Sequence, residues 1–524
     1  MIEYNKIWDF LKDIFLYDEN APVLFTRFYF WAFFALLLVG YSIIYKKNTI
    51  RNSYLFILSL FFYYKSGGYF FTILIFSTIV DYSIGLLIFN ANKKYAKKIF
   101  VVCSILVNLL LLAYFKYTYF FNDIGNQVLL WAYDFFGISG AAPQFEVVNL
   151  LALWSNELTG SNFDATTIIL PVGISFYTFQ TISYSVDVYR KKLEPVRNIL
   201  DFGFYVTFFP QLVAGPIVRA AEFIPQLYRK YSVTIQEYGH AVFLILNGLM
   251  KKMIISDYLS TNFVDRVFEN PLSYTGFENL MATYGYSIQI YCDFSGYTDI
   301  AIGVALLLGF RLPLNFNSPY KAENITDFWR RWHISLSSWL RDYLYIPLGG
   351  SRKGKIRTYI NLLVTMLLGG LWHGAAFRFV IWGGIHGAGL AIHKLWQVVF
   401  PPKSDRKSLF MHFVSVFFTF HVVTFAWLFF RAGDMETVGK MLNQMFLSFS
   451  PELIPEIISS YKMIFIVLFT GFFIHWLPSS LKERYRGAFI NSSIIVKAII
   501  AVLVVILIYQ FKSSEIQPFI YFQF

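Results

Sequence analysis

Cysteine is almost missing from this chain of 524 residues: Cys103 and Cys292 are the only two, and both fall in apolar stretches. A disulfide framework or a cysteine-based metal site is therefore not expected. Charge is scarce too, at 15% of residues, where a soluble domain has about a quarter. There is no His-Glu-x-x-His zinc motif and no Gly-x-Ser-x-Gly elbow, so metalloprotease and serine-hydrolase chemistry have no support. The alternating segments of about ten residues that mark an outer-membrane barrel do not occur. Neither a soluble domain, a low-complexity tract nor an obvious repeat interrupts the sequence. The first residues carry Glu3, Asp9, Asp13, Asp18 and Glu19, the wrong sign for a secretory leader.

What is present is apolar. Hydrophobic residues make up 56% of the chain and aromatic ones 20%. At roughly 20 apolar residues per crossing, these runs predict an all-α polytopic membrane protein with about ten to thirteen spans. Residues 1–26 read as an extracytoplasmic or interfacial segment, in which Trp8, Leu11 and Phe15 recur at helical spacing. Residues 27–400 read as the core, and 401–524 as C-terminal membrane helices beyond the polar linker Pro401 to Ser408. The net charge of +12 invites a nucleic-acid reading. Lysine and arginine cluster instead at span ends, at Lys46 to Arg51, Lys93 to Lys98, Arg190 to Arg197 and Arg330 to Arg357. That is the positive-inside pattern, so the basic balance reports topology and no nucleic-acid partner is expected. No Lys or Arg occurs between Lys116 and Arg190, which places the linker around 122–165 outside the cytoplasm, together with the N-terminus.

Between residues 171 and 390 the apolar runs are interrupted or abutted by Pro171, Gly173, Pro210, Gly215, Pro216, Gly296, Gly303, Pro313, Gly369 and Gly370. Broken helices at membrane depth are tolerated where they are buried in protein or line a cavity, so this region predicts the walls of an internal site. Two histidines stand in it beside tryptophans. His333 ends Trp329-Arg330-Arg331-Trp332-His333, and a helix here puts Trp329, His333, Leu336, Ser337 and Leu340 on one face. An interfacial anchor is the bland reading. The functional one has Arg330, Arg331 and Arg341 holding the phosphates of a donor, with His333 in the site. His373, in Trp372-His373-Gly374, lies near the middle of the apolar run 356–399, either at a hairpin apex or inside the bilayer. It is a packing residue or a proton-transfer group, and the flanking glycines favour a lined cavity. His386 and His393 are seven apart, with no carboxylate or cysteine to complete a metal set. His240, His412, His421 and His475 read as core or interfacial residues. Asp293 and Asp299 must face protein or water. They relay protons, orient a histidine or hydrogen-bond broken helices, with the last preferred; Asp81 and Asp187 share the ambiguity.

At this point the residues resemble the membrane-bound O-acyltransferase family, and within it the alginate O-acetylation branch, related to teichoic acid D-alanyl transfer. The stretches that carry the resemblance are Pro171 to Tyr177, Phe209 to Pro216, Tyr291 to Asp299, Phe328 to Gly350 and Gly369 to Gly374. The resemblance implies helices ringing a funnel or tunnel. It implies His373 as the catalytic histidine and His333 as the second polar residue of the site, with Trp329, Trp332, Trp372, Arg330 and Arg331 around the substrates. It also implies a bacterial inner-membrane location and no tightly bound cofactor. The acyl donor would be a cytoplasmic one such as acetyl-CoA or an acyl carrier protein, the acceptor a polysaccharide, and the partner an extracytoplasmic acetyltransferase or esterase-like protein.

Acyl transfer to a hydroxyl needs a base, and His373 fits that role; His333 would bind the donor, stabilise the oxyanion or protonate the leaving thiolate. The leading expectation is O-acetylation of an exopolysaccharide or cell-wall polymer. D-alanyl transfer is the alternative within the family. A proton-coupled transporter or flippase is the alternative from another class; it would show inverted repeats, which are not evident.

Overall fold

The computed structural model describes residues 15–18, 22–138, 140–212, 215–400, 408–511 and 519–520. Among them all regular structure is helical. Trp8 and Leu11 of the expected interfacial helix lie outside the described residues, as do 401–407 of the expected linker. The chain is an all-α polytopic membrane protein. Among the described residues five stretches are long and apolar enough to cross a bilayer by themselves, or six if the pair Pro451–Ser460 and Lys462–Trp476, bent by 90°, counts as one span. That is short of ten to thirteen for a physical reason. Asn48–Asn90 and Lys94–Phe135, at 43 and 42 residues, each count once although each holds more than one helix. Other apolar runs form short helices buried in protein, such as Ile174–Tyr189 with 16 residues.

The expectation of a polar linker over 122–165 is corrected. Thr118–Phe135 and Leu150–Thr159 are helices, and the first exposes Val128, Leu130, Trp131 and Phe135. Scattered Asn and Asp residues had masked its helical apolar content.

The chain forms two compact units. The first comprises Met1–Pro22, Phe56–Thr207 and Gly374–Ala376. Its centre is a polar knot on Asp81, which is fully buried. The carboxylate accepts hydrogen bonds from Ser104 Oγ at 2.5 Å, Asn108 Nδ2 at 2.7 Å and Ser185 Oγ at 3.1 Å. Helices Phe71–Asn90, Lys94–Leu112 and Ile174–Tyr189 are thus tied through one group, as an acid at membrane depth requires.

The second unit comprises Val23–Leu55, Phe208–His373 and Phe377–Phe524. Its axis is the 32-residue helix Gly276–Leu307, started by a capping box between Thr275 and Glu278 and buried along most of its length. Helix Ile235–Leu249 packs on it backbone to backbone: a Cβ on Gly248 would stand 2.5 Å from the Gly296 carbonyl, and one on Gly303 2.7 Å from that of Ala241. Small residues permit this approach, the usual way helices associate in lipid. Past Leu249 the chain widens into π turns at Met250–Ser256, which turns Lys251 and Lys252 toward the axis helix. Lys251 reaches Asp299 at 2.7 Å, with Asn247 Nδ2 donating to the same oxygen at 2.8 Å. Lys252, buried, bridges Asp293 and Asp257. Asp293 and Asp299 thus each anchor the axis helix to a lysine.

Candidate functional site

The WRRWH segment is not one helix. Helix Ile325–Arg331 stops, Trp332 is extended, and His333 takes a left-handed conformation at φ 43° before helix Ile334–Leu340 begins. Trp329 and His333 therefore do not share one helical face, and this corrects the periodicity reading. A left-handed conformation is uncommon outside glycine and persists only where surroundings over-determine it. Here Asn315 does so. Its carbonyl accepts from Ile334 N–H at 3.0 Å, and its side-chain Oδ1 accepts from Ser335 N–H at 3.1 Å and Ser335 Oγ at 2.9 Å. The backbone donor identifies that side-chain atom as oxygen. His333 Nδ1, 3.2 Å from it, must then be the N–H donor. In the neutral ring this leaves Nε2 as the lone-pair nitrogen.

His373 is the last residue of helix Lys355–His373, and the next helix, Phe377–Val399, starts four residues on. Of the two placements open in the sequence, the structure has the hairpin end, and the side chain is buried. Its ring packs against Trp372 at 4.9 Å, Trp382 at 5.0 Å and Phe430 at 5.3 Å between centroids. His333 meets the same Trp372 at 6.3 Å and stands edge-on to Phe294 at 4.6 Å. Trp382 carries a second imidazole, His386, at 4.8 Å, and His386 in turn packs on Trp329 at 5.2 Å and Phe328 at 5.8 Å. The order His333, Trp372, His373, Trp382, His386, Trp329 is thus a continuous buried row of alternating imidazole and indole. Trp332 lies beside it, against Phe316 at 5.0 Å and Trp427 at 4.9 Å.

Of the seven residues singled out in the sequence, this row gathers His333, His373, Trp329 and Trp372, with Trp332 adjoining. Arg330 and Arg331 are not in it. Arg330 is exposed, and Arg331 spends its guanidinium on Asp327, both carboxylate oxygens at 2.9 Å. The sequence reading missed Asn315, Trp382, Phe430 and His386's place in the row. His386 had been weighed only with His393 as a metal pair, whereas His393 hydrogen-bonds Thr326 Oγ1 at 2.8 Å.

Residues 196–432 match the model of MBOAT, the membrane-bound O-acyltransferase family. A peptidoglycan O-acetyltransferase from Helicobacter pylori is 35% identical over 451 residues, which is 80% of this chain and 79% of that protein. A probable alginate O-acetylase AlgI from Pseudomonas putida is 35% identical over 476 residues, 85% of this chain and 89% of that protein. The chain belongs to the membrane-bound O-acyltransferase family. A teichoic acid D-alanyltransferase from Bacillus subtilis is a more distant relative, 30% identical over 277 residues, 48% of this chain and 67% of that protein.

The protein is therefore an O-acyltransferase, and the transporter or flippase reading falls. The acyltransferase model spans both histidines, Asn315, Trp382 and His386. An imidazole with a fixed tautomer supplies what acyl transfer to a hydroxyl needs, a lone pair or an N–H at a known atom.

Proposed function

We propose that this acyltransferase moves an acetyl group from a cytoplasmic thioester donor to a hydroxyl acceptor serving an envelope polymer. The carrying observation is that His333 and His373 share the Trp372 indole. His373 takes the proton of the acceptor hydroxyl as its oxygen attacks the thioester carbonyl. The carbon–sulfur bond then breaks, and the thiolate leaves with a proton returned from an imidazole. Asn315 holds His333 by Nδ1, so that its other nitrogen serves the donor side. A base of this kind typically contributes about 10²–10⁴-fold in rate, or about 3–5 kcal/mol of barrier. Arg330, exposed, is available to the phosphates of coenzyme A or a carrier-borne pantetheine. An extracytoplasmic acetyltransferase or esterase-like protein is the partner that passes the group on, and the bacterial inner membrane is the site of action. The two O-acetyltransferase relatives, which cover about four-fifths or more of the chain, support acetyl over D-alanyl.

The test is His373→Ala and, separately, His333→Ala in cells, with base-released acetate and D-alanine measured on the surface polymer. Loss of acetate with His373→Ala at normal expression is the expected result. Unchanged acetate in that variant overturns the catalytic assignment, and loss of D-alanine alone overturns the choice of acyl group.

A further inference from the structure

The bend after Trp476 gathers cations that the acyl-transfer site does not use. Lys321, at the end of the loop that begins with Asn315, donates to the Leu477 carbonyl at 2.6 Å. Lys482, on helix Ser479–Asn491, donates to the His475 carbonyl at 2.7 Å and to Ser318 Oγ at 3.1 Å. Neither lysine meets a carboxylate among the described residues. The nearby acids are already engaged, Asp299 by Lys251, Glu323 by His412, Asp327 by Arg331 and Glu483 by Arg486. The two carbonyls end helix Lys462–Trp476, and a helix C-terminus offers only about half a negative charge. Two lysines on it leave the cluster positive by about 1.5 charges. Burial, and then Lys321 and Lys251, bring the Lys482 ammonium down to about 8.

An apolar cleft adjoins these lysines. Phe469, Phe472, Phe473, Trp476, Leu477 and Pro478 line a cavity of about 420 Å³. Phe469 and Phe473 are exposed on its outer side, and Trp476 and Tyr485 are exposed near the lysines. Half-exposed Trp and Tyr beside lysine mark the headgroup level of a bilayer. Basic span ends face the cytoplasmic leaflet, which is the one that carries anionic lipid.

We infer that Lys321, Lys482 and the aromatic cleft below them form a site for one anionic phospholipid, its phosphate on the two ammonium groups and an acyl chain in the cleft. The match is in both halves of the ligand: charge at the headgroup level, apolar rings immediately beneath. The same loop holds His333 through Asn315 at its other end, so lipid occupancy steadies the histidine it does not touch.

The test uses the full-length protein in nanodiscs of phosphatidylcholine alone or mixed with phosphatidylglycerol. Retained phosphatidylglycerol is counted by native mass spectrometry, and the unfolding temperature is measured in both discs. The wild type should retain the lipid and unfold at a higher temperature with phosphatidylglycerol. Each Lys→Met change should weaken retention roughly fivefold, the equivalent of about 1 kcal/mol per basic residue at an anionic surface. The paired Lys→Arg variant should keep the lipid, and Lys462→Met, at the other end of that helix, should change nothing. Equal retention by the Lys321→Met/Lys482→Met protein refutes the site. So does a double variant that keeps the lipid but raises KM for acetyl-CoA, because the phosphate bound there would then be the donor's.

Discussion

The placement of His373 rests on a glycine contact that a single methyl group can test. Helices Lys355–His373 and Phe377–Val399 touch backbone to backbone where Gly370 faces Phe379 and Gly383. A Cβ built on Gly370 would lie 2.1 Å from the Phe379 carbonyl oxygen and 3.2 Å from Gly383 Cα. The obstructing atoms are main chain, so no rotamer change relieves the clash. Gly370→Ala must open the helix pair by about 1 Å to reach ordinary contact. Overpacking of this kind costs typically 1–3 kcal/mol, within the usual margin of about 5–15 kcal/mol, so the variant should fold. His373 lies one helical turn further on. With His373 as the proposed base, a misplacement of about 1 Å can cost about 10²-fold, so kcat should fall by that order with little change in KM for the donor.

The control lies on the facing helix. A Cβ on Gly384 would meet only Leu367 Cδ2, at 3.6 Å. Gly384→Ala should keep full activity and gain about 0.5–1 kcal/mol of helix stability. Acetyl transfer from acetyl-CoA by purified protein in proteoliposomes, with thermal unfolding in parallel, reads both. A Gly370→Ala protein with wild-type kcat and unchanged unfolding temperature would refute the claim that backbone contact positions the histidine.

Three further outcomes follow from the structure. Asn315→Ala removes the acceptor that sets the His333 tautomer; kcat should fall about 10–10²-fold, with a flattened acid limb in the pH profile that a purely structural loss would not produce. Lys252→Met strands Asp293 and Asp257 without their cation, and unfolding free energy should drop by about 3–5 kcal/mol in a denaturation series. Lys482 is held at about 8, below its ordinary value of 10.5. The native state thus binds fewer protons than the unfolded chain between these values, so stability rises with pH across that window and the penalty is full below about 8. Since Lys482 is only half buried, screening reduces the effect to roughly 1 kcal/mol. The part of this rise that Lys482 supplies should be lost in Lys482→Met in phosphatidylcholine, leaving the rise from Lys321, whose ammonium burial and then Arg331 also hold below its ordinary value.

The membrane class and the two tryptophan-flanked histidines were legible because they depend on composition and local spacing. The break at Trp332–His333 was not. No proline or glycine marks it, and the left-handed turn is imposed by Asn315, eighteen residues away. Lys251 and Lys252 were hidden for a similar reason. They lie at the end of an apolar run, and only the π turns at Met250–Ser256 aim them at acids some forty residues later. His386 was misjudged because its partners were sought along one helix at metal spacing, whereas Trp329 comes from a separate helix. Periodicity reads a residue's own helix; it cannot say which ring arrives from another.

The buried ion pair and the histidine row are parts of one arrangement. Asp293 and Phe294 are consecutive on helix Gly276–Leu307, so their side chains point about 100° apart. Asp293 is tied to Lys252 and accepts the Ile520 N–H at 2.9 Å. Phe294 stands under His333 at 4.6 Å and meets Phe519 at 5.5 Å. The ion pair therefore fixes the rotation of the axis helix, and that rotation decides whether the Phe294 ring meets the imidazole. A salt bridge buried at this cost is weak evidence for stability in its own right. It makes physical sense as a rotational key: charge is confined to one side of the helix, away from the imidazole row, and its geometry is transmitted to the adjacent side as an apolar contact.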